Sequence, residues 1–512
     1  MFHRYRLTRF MFTLIVLLFS QPIFAQDHPT QSSGWISQQI DALGNHMGAA
    51  ANFLFTIFFY DFGLKIPLII IILVGGGIYY TFYFGFLPIR GFKHAIDVIR
   101  GRYDNPDDPG EISHFKALTS ALSATIGLGN IGGVAVAVGT GGPGAVFWMM
   151  VTAFFGMSSK LASCTLAVIY RKVHPDGHIS GGPMYYLQEG LAQKGLAPLG
   201  KTLAVIFALL TLGGSFGGGN MFQANQAIEI LSTVVPGAKS YNWLIGIVLA
   251  FFVAIVIIGG IKRIGNVTSR LVPAMCLLYV TAALGIILLH IHNLPDMLVV
   301  IFEEAFTGRA IYGGFLGALI MGVRRAAFSN EAGLGSAAFA HAAAKTDEPA
   351  REGMVAMIGP FIDTIVICLM TALVCMITGV YNDPEFAGKG VSMTSAAFEA
   401  FIPGASYVLA IVVMLFAYST MISWSYYGER AWEYLFGLDS IIIYRIIFVC
   451  FVFIGSVTAL QSVLDFSDAM ILGMAFPNII GGIILSPQIK AVLKDYWQRY
   501  KSGQMKTYTD SK

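Results

Sequence analysis

Apolar stretches of about 20 residues, separated by shorter polar segments, recur along the chain from residue 66 onward. A helix of that length crosses the ~30 Å hydrocarbon core of a bilayer. The stretches lack the alternation typical of a transmembrane β-barrel, so we expect an all-α integral membrane protein with about eleven spans. Their predicted positions are 66–86, 117–140, 144–170, 202–233, 243–260, 270–291, 312–342, 354–380, 405–434, 440–460 and 465–485.

Two of these spans carry glycines and polar residues at mid-depth. Span 117–140 contains Gly127-Leu-Gly-Asn-Ile-Gly-Gly133, and span 312–342 contains Phe328-Ser-Asn-Glu-Ala-Gly-Leu-Gly335. A break in a helix frees backbone N–H and C=O groups, which cost several kcal/mol each in hydrocarbon unless they are paired. Close helix packing through small residues is the alternative. The polar residues in both stretches favour two broken helices that form a ligand site.

The two predicted breaks divide the chain into related parts. Without the additional span in 64–89, ten spans form two sets of five, 117–291 and 312–485, and each set begins with an interrupted span. Because five is odd, the second set runs opposite to the first. Such interrupted spans in inverted halves mark the midplane substrate site of leucine-transporter-type folds. We therefore predict a leucine-transporter-like 5+5 inverted-repeat core followed by a cytoplasmic tail, 486–512.

Composition agrees with a membrane location. Hydrophobic residues make up 56% of the chain and charged residues 12%, which excludes an ordinary soluble globular protein. The five cysteines lie inside apolar stretches without ligand spacing, so we expect small core residues instead of disulfides or a zinc site.

The N-terminal segment and the basic residues predict the orientation. Residues 1–25 combine early arginines, an apolar stretch and a cleavage site after Ala25, as in a secretory signal peptide, with an uncleaved anchor as the alternative. Segment 26–63 has no Lys or Arg and is expected on the outer face. Basic residues then concentrate in every second connection. We expect a multi-pass protein of the bacterial inner membrane with its N-terminus outside and its C-terminus in the cytoplasm.

The clearest ionisable residues inside predicted spans are Lys160, Glu331 and Asp363, with Arg324 and Arg325 just before the second break. Charged groups at that depth cost about 2.5 to 3.5 kcal/mol on insertion scales and are functional candidates by default. Lys160 suits a structural role, in which it pairs with a carboxylate and holds helices together. Asp363 has two alternative roles: it could couple transport to a proton or cation, or it could cap a polar network.

Amides and hydroxyls form two further clusters. Asn220, Gln223 and Gln226 recur every third residue and would share one face of a continuous helix, either as a pocket wall or as bonds to a neighbouring helix. Ser419 and Thr420 offer the oxygen ligands that a dehydrated Na⁺ needs. Their alternative role is to bond back to carbonyls of their own helix.

Nucleotide binding is not expected. Gly127, Gly129 and Gly132 match the spacing of the dinucleotide fingerprint, but the β-strand before it and the acidic residue about 20 positions later are missing. The sequence also contains no P-loop and no nucleophile–base constellation, so we expect neither an enzyme nor an organic cofactor nor a nucleic-acid partner.

Five motifs together resemble the alanine or glycine:cation symporter family over roughly residues 60–490. They are Thr125-Ile-Gly-Leu-Gly-Asn-Ile-Gly-Gly133, Gly142-Pro-Gly-Ala-Val-Phe-Trp148, Gly181-Gly-Pro-Met-Tyr-Tyr186, Phe328-Ser-Asn-Glu-Ala-Gly-Leu-Gly-Ser336 and Ser423-Trp-Ser-Tyr-Tyr-Gly-Glu-Arg430. Two further motifs, Gly259-Gly-Ile-Lys-Arg-Ile-Gly265 and Ala340-His-Ala-Ala-Ala-Lys-Thr346, carry the same resemblance. The resemblance implies uptake of a small neutral amino acid with Na⁺ as the coupling ion. It leaves the oligomeric state open.

The resemblance also implies roles for individual residues. Those expected at the substrate are Gly127, Leu128, Gly129, Asn130, Gln223, Phe328, Asn330 and Trp424. Those expected at the cation are Ile126, Gly129, Ser419 and Thr420. The family usually has threonine where this chain has Leu128, so the choice among small amino acids is not carried over. H⁺ coupling through Glu331 or Asp363 remains an alternative, as does a receptor built on a transporter fold.

Overall fold

The computed structural model describes residues 35–63, 65–307, 313–386, 388–458 and 460–508. The predicted signal peptide, 1–25, lies outside the described residues. Among them, the predicted all-α architecture is confirmed, apart from one small β-hairpin. Its strands β1 (Lys172–Val173) and β2 (Ile179–Ser180) pair antiparallel, with Lys172 opposite Ser180.

The longer helices of the first part of the chain are α1 (Trp35–Phe58), α2 (Leu68–Tyr83), α3 (His114–Thr125), α4 (Gly129–Gly141), α5 (Gly144–Ile169), α6 (Ala197–Val234), α7 (Asn242–Ile257), α8 (Gly260–Leu289) and α9 (Leu294–Phe306). Short helical segments cover Leu87–Arg90, Phe92–Ile99, Pro183–Tyr185, Tyr186–Gly190, Leu191–Gln193, Ala238–Tyr241 and Ile291–Asn293.

The second part contains α10 (Gly314–Asn330), α11 (Ala338–Ala342), α12 (Pro349–Ile377), α13 (Gly390–Glu399), α14 (Ala405–Phe436), α15 (Ile441–Val457), α16 (Leu460–Gly473) and α17 (Ala475–Lys501). Short 3₁₀ turns cover Val380–Asn382, Pro384–Phe386 and Leu438–Ser440. Four π-helical segments occur among the described residues, at Gly129–Gly133 in α4, Tyr186–Gly190 in the short helical stretch before α6, Gly217–Met221 in α6 and Phe361–Cys368 in α12.

Eight helices of the described residues are long and apolar enough to cross a membrane, or nine if the bent pair α3 and α4 forms one span. This count is lower than the predicted eleven for physical reasons. Helix α2 is apolar but has only 16 residues. Helix α10 has 17 residues and carries Arg324 and Arg325. The structure thus agrees with a multi-pass membrane protein.

Both predicted breaks occur. Helices α3 and α4 meet at an angle of 53° across residues 126–128. Helix α10 ends at Asn330, Glu331 adopts the left-handed conformation with φ 55°, and α11 begins only at Ala338. The second break therefore starts three residues later than Phe328, because Phe328 still lies in the last turn of α10. A left-handed non-glycine residue costs roughly 1–2 kcal/mol, so neighbouring contacts must hold Glu331 in place.

The packing brings the two breaks together at the centre of the molecule. Helix α5 packs against α2, α10 and α12, and α14 packs against α3, α6 and α8. Small residues allow these close approaches, as expected for membrane helices. For example, a Cβ on Gly141 would lie 2.8 Å from Cβ of Met321 in α10.

Four expectations for connecting and peripheral segments need correction. The connection 381–404 contains a helix, α13, whose Val391 and Thr394 are buried. The predicted tail from residue 486 begins inside α17, which stays helical to Lys501. Lys262 and Arg263, expected in a cytoplasmic loop together with Arg270, lie in the first turn of α8, and Arg270 lies further along the same helix. Cys450 is exposed on α15 instead of lying in the core.

Candidate functional site

The first break leaves backbone groups unpaired at residues 126–128. Gly127 N donates to Asn130 Oδ1 at 2.9 Å, and Asn130 N donates back to the Gly127 carbonyl at 3.2 Å. Within the described residues, the N–H groups of Leu128 and Gly129 have no acceptor and the Ile126 carbonyl has no donor. The first turn of a helix presents N–H donors and a positive dipole end. This end of α4 can therefore bind an anion, and the carbonyl beside it can bind a cation.

The second break leaves carbonyl groups unpaired at the end of α10. Asn330 Oδ1 accepts from Ala332 N at 2.9 Å, so Ala332 does not bond to the Phe328 carbonyl as the next helical turn would require. The Phe328 and Ser329 carbonyls have no donor among the described residues. A helix C-terminus carries the negative end of the dipole. These two carbonyls are suited to a cationic group.

The two breaks are in direct contact. A Cβ placed on Gly129 would lie 3.2 Å from Cα of Ser329 and 3.5 Å from Cδ1 of Phe328. The Phe328 ring packs edge-on against Phe222, with ring centroids 5.6 Å apart. Leu128 is completely buried. The N–H donors of one break and the free carbonyls of the other therefore belong to a single site.

Asp363 connects both breaks through three hydrogen bonds. It lies in the π-helical segment of α12 and is completely buried. Its Oδ2 accepts from Asn130 Nδ2 at 2.7 Å, and its Oδ1 accepts from Ser329 Oγ at 2.9 Å and from Thr364 Oγ1 at 2.7 Å. Thr364 Oγ1 also accepts from Asn330 Nδ2 at 2.9 Å. This geometry supports the network reading of Asp363.

Lys160 holds the end of α10 through a carbonyl. Its Nζ donates to the Asn330 carbonyl at 2.9 Å, and within the described residues it forms no ion pair with a carboxylate. The expected carboxylate partner is therefore wrong, but Lys160 does bridge helices, since it lies on α5 and its acceptor on α10. A cation at a helix C-terminus stabilises the exposed carbonyls and the dipole.

Glu331 is held by two side chains. Trp424 Nε1 donates to Glu331 Oε1 at 2.9 Å, and Ser336 Oγ donates to Oε2. These bonds support the left-handed backbone of Glu331 and attach it to α14. The Trp424 ring lies directly on Gly219 of α6, where a Cβ would overlap it. Trp424 thus packs at the meeting point of α6, α10 and α14.

The two hydroxyls on α14 behave differently. Thr420 Oγ1 faces the first break and donates to the Ser123 carbonyl at 3.1 Å, near the end of α3. A Cβ on Gly127 would lie only 2.6 Å from this hydroxyl oxygen. Ser419 Oγ instead donates to the Phe416 carbonyl of its own helix at 2.9 Å. The structure thus brings Thr420 to the break and gives Ser419 the local bond expected of a helical serine.

The side-chain amides of Asn220, Gln223 and Gln226 on α6 do not face the same neighbouring helix. Asn220 Nδ2 donates to the Phe448 carbonyl on α15 at 2.7 Å. Gln223 Nε2 bonds within its own helix, to the Gly218 carbonyl, and its Oε1 is buried without a partner in the described structure, 3.5 Å from a Cβ position on Gly127. Gln226 Nε2 also lacks a described partner. The π-helical segment at Gly217–Met221 changes the helical register, which separates Asn220 from Gln223.

Sequence reasoning missed several residues of this site. Ser329 and Thr364 complete the Asp363 network, and Ser123 Oγ donates to the Ser419 carbonyl at 2.7 Å. The sequence already placed Thr364 beside Asp363 and Ser329 within the second break, whereas Ser123 has no neighbour that the sequence singled out. Asp468, which pairs with Arg324 and Arg325, lies near the start of the predicted span 465–485, so its charge within a span was the available signal. No cluster of three or more metal-ligating His, Cys, Asp or Glu side chains occurs among the described residues.

Comparisons with known proteins decide the family. The model of the sodium:alanine symporter family matches residues 13–510. The chain belongs to the sodium:alanine symporter family. Membership confirms the resemblance found in the motifs and identifies a multi-pass membrane protein that is an amino acid symporter, in a family of transporters and not of enzymes.

Named relatives within the sodium:alanine symporter family differ in the amino acid given in their names. The sodium/alanine symporter AgcS of Methanococcus maripaludis is 44% identical over 432 residues, which is 84% of this chain and 94% of that protein. The probable sodium/glutamine symporter GlnT of Bacillus subtilis is 35% identical over 441 residues, 85% of this chain and 89% of that protein. Family membership alone does not select the substrate.

One solved structure shows the fold of this sodium:alanine symporter family member. The crystal structure of MhsT in complex with L-phenylalanine aligns with a TM-score of 0.50 and 13% identity, over 75% of this chain and 99% of MhsT. That protein has a leucine-transporter-like fold, which confirms the predicted fold type. At this identity the likeness concerns the backbone arrangement and not the ligand.

Proposed function

We propose that this protein imports a small neutral amino acid, of the alanine or glycine class, together with Na⁺ across the bacterial inner membrane by alternating access. The observation that carries the proposal is the pair of contacting breaks with unpaired N–H groups on one side and unpaired carbonyls on the other. A zwitterion needs both kinds of group. We further propose inverted repeats at 117–291 and 312–485, an additional span at 64–89, an outer N-terminus and a cytoplasmic C-terminus.

The substrate carboxylate binds at the start of α4. The free N–H groups of Leu128 and Gly129 are its donors, and the positive end of the helix dipole adds to the attraction. The α-ammonium group binds the free carbonyls of Phe328 and Ser329 at the end of α10. Gln223 Oε1, which has no described partner, supplies a further acceptor near Gly127.

The surrounding residues fix the shape and size of the site. Asn130 and Asn330 each bond to their own break and to the α12 network, so they hold the free groups in position. Leu128, Phe328 and Trp424 are bulky and buried around the breaks. Bulky side chains in these positions favour a substrate with a small side chain.

Na⁺ binds beside the substrate, between α3 and α14. The Ile126 carbonyl is free, and the Thr420 hydroxyl faces the same break. A hard cation takes oxygen ligands of these kinds. Ser419 contributes if its hydroxyl exchanges the Phe416 carbonyl for the ion. Gly129 was a candidate for both the substrate and the cation. Because it contacts α10, we place it at the substrate.

The membrane potential supplies the driving force. Moving one charge across 100 mV releases about 2.3 kcal/mol. At about 1.4 kcal/mol per tenfold, one Na⁺ per zwitterion sustains a gradient of roughly forty-fold. H⁺ coupling is the second candidate, because Glu331 and Asp363 place two buried carboxyl groups at the breaks.

Uptake into proteoliposomes separates these candidates. We expect labelled alanine, glycine or serine to accumulate when an inward Na⁺ gradient is imposed. No accumulation is expected when K⁺ replaces Na⁺ on both sides of the membrane. A pH gradient in Na⁺-free medium tests H⁺ coupling directly. Accumulation driven by pH alone would replace Na⁺ by H⁺ in the proposal, and failure of all three amino acids would reject the substrate class.

Replacing Thr420 by alanine tests the cation site. We expect the Na⁺ concentration for half-maximal uptake to rise about tenfold, because the variant loses one oxygen ligand of the ion. Ser425→Ala is the matched control, since Ser425 is a buried hydroxyl on the same helix that bonds only to the Ile422 carbonyl. An equal Na⁺ dependence in both variants would remove Thr420 from the site.

A further inference from the structure

A groove of about 500 Å³ lies far from the breaks, between the end of α2 and the C-terminal part of α17. The two helices are joined beside it by a hydrogen bond of 2.8 Å between Tyr79 Oη and Ser486 Oγ. The chain that follows α2 closes one side of the groove, and a continuous face of α17 closes the other. The transport site does not use any of these residues.

The groove collects positive charge on one helix face. Lys490, Lys494, Trp497 and Lys501 follow one another at intervals of four, three and four residues, which places them on the same side of α17. Arg90 faces them from the short helix after α2. The lining contains these four cations and no carboxylate.

These cations have no ionic partner among the described residues, whereas the neighbouring cation on α17 does. Arg499 lies on a different face of α17 from the three lysines, and it pairs with Glu348 and with Asp495, at 2.5 and 2.8 Å. Three of the four groove cations, Arg90, Lys490 and Lys501, lie over aromatic rings instead. Lys490 Nζ lies 4.1 Å from the centroid of Tyr83, and Arg90 Cζ lies 5.8 Å from that of Trp497. The positive charge of the groove is therefore available to an external anion.

The position of the groove matches a membrane boundary. Helix α2 is apolar along its length and ends in aromatic residues, and Phe82 remains 63% exposed beside the groove. Aromatic side chains are enriched where hydrocarbon meets headgroups. The cations begin immediately beyond this aromatic end. A ligand there would meet an apolar wall on one side and ammonium groups on the other.

We propose that this groove binds an anionic phospholipid, with its phosphate among Arg90, Lys490, Lys494 and Lys501 and its acyl chains along Phe82 and α2. Basic pockets between helices at the cytoplasmic face are suited to acidic headgroups. A zwitterionic lipid carries an ammonium group that the four cations repel. A free phosphate would use the cations but not the exposed aromatic wall.

Native mass spectrometry of the full chain tests the proposal. The protein is titrated with phosphatidylglycerol and phosphatidylethanolamine of identical acyl chains. We expect a preference for phosphatidylglycerol that falls roughly 100-fold when Lys490, Lys494 and Lys501 are all changed to glutamine, since each lysine near an anionic surface contributes about fivefold. Changing the exposed Lys93, Lys201 and Lys262 to glutamine removes the same charge outside the groove and should leave the affinity within about threefold.

The unaltered protein provides a second readout that does not depend on the folding of a variant. A photoactivatable phosphatidylglycerol should crosslink to peptides covering residues 82–90 and 490–501. Equal loss of affinity in the two triple variants would overturn the proposal, as would crosslinks confined to other segments. Displacement of the lipid by millimolar inorganic phosphate would also overturn it, because the groove would then be a soluble-anion site.

Discussion

Asp363→Asn reduces the initial rate of alanine uptake by about 100-fold or more. The carboxylate accepts hydrogen bonds from Asn130, Ser329 and Thr364, and among the described residues it is the only carboxylate that bonds to both breaks. An amide in its place turns one acceptor into a donor that faces another donor. Leaving a buried polar group unpaired costs about 1–3 kcal/mol. In this variant the cost destabilises the arrangement of the two breaks that the substrate needs. The rate is measured at saturating Na⁺ and normalised to reconstituted protein.

Asp495→Asn is the control for this prediction. Asp495 pairs with Arg499 on the exposed side of α17, and such surface pairs contribute only about 0–1 kcal/mol. Its uptake should stay within about twofold of wild type. If Asp363→Asn transports alanine as well as this control does, the Asp363 network is not needed for the site, and the proposed link between the two breaks is wrong.

Gly127→Ala should have the second largest effect, a loss of Na⁺-driven uptake of roughly tenfold or more. The new methyl group would lie 2.6 Å from Thr420 Oγ1 and 3.5 Å from Gln223 Oε1. It therefore occupies the space between the break and α14 where we place the ion. Relief of this overlap requires a shift of α3 relative to α14, since cores are closely packed. Initial rates over a range of Na⁺ concentrations measure the effect.

Gly133→Ala is matched to this change in the same stretch of glycines. A Cβ at Gly133 would have no heavy atom within 4 Å, so this variant adds the same methyl group without an overlap. Its uptake should resemble wild type. Similar losses in the two variants would mean that added bulk anywhere in the glycine stretch is harmful, and that the space beside Thr420 has no special role.

The sequence predicted the breaks because glycine and asparagine at mid-depth conflict with a continuous helix in hydrocarbon. The same reasoning identified Glu331 and Asp363, whose burial is unfavourable without specific partners. These features are local, and local composition was sufficient to find them.

Other features depend on contacts between distant segments and could not be read from local patterns. Helix α13 lies in a polar connection, yet Thr394 bonds to the Ile131 carbonyl at 3.2 Å and Val391 packs on Gly132. The helical spacing of Asn220 and Gln223 assumed 3.6 residues per turn, which the π-helical segment of α6 does not obey. Lys160 was expected to find a carboxylate, but the end of α10 offers a carbonyl in the right place.

Leu128 marks the limit of the family comparison. The family that the motifs resemble usually has threonine at this position. Here a completely buried leucine adjoins the free N–H groups. An isobutyl group removes a possible hydrogen bond and adds volume beside the proposed carboxylate site. Named relatives include a sodium/alanine symporter and a probable sodium/glutamine symporter, and we propose that Leu128 contributes to the choice of substrate in this chain.

Equilibrium binding of labelled alanine to the purified protein, at several Na⁺ concentrations, tests the central claim most directly. Substrate and ion are proposed to bind side by side at the first break, with the substrate also reaching the end of α10, so each should raise the affinity for the other by an equal factor. We predict that the Kd for alanine falls about tenfold or more between Na⁺-free and saturating Na⁺, and that alanine lowers the Kd for Na⁺ equally. Alanine binding that is unchanged when K⁺ replaces Na⁺ would contradict the account.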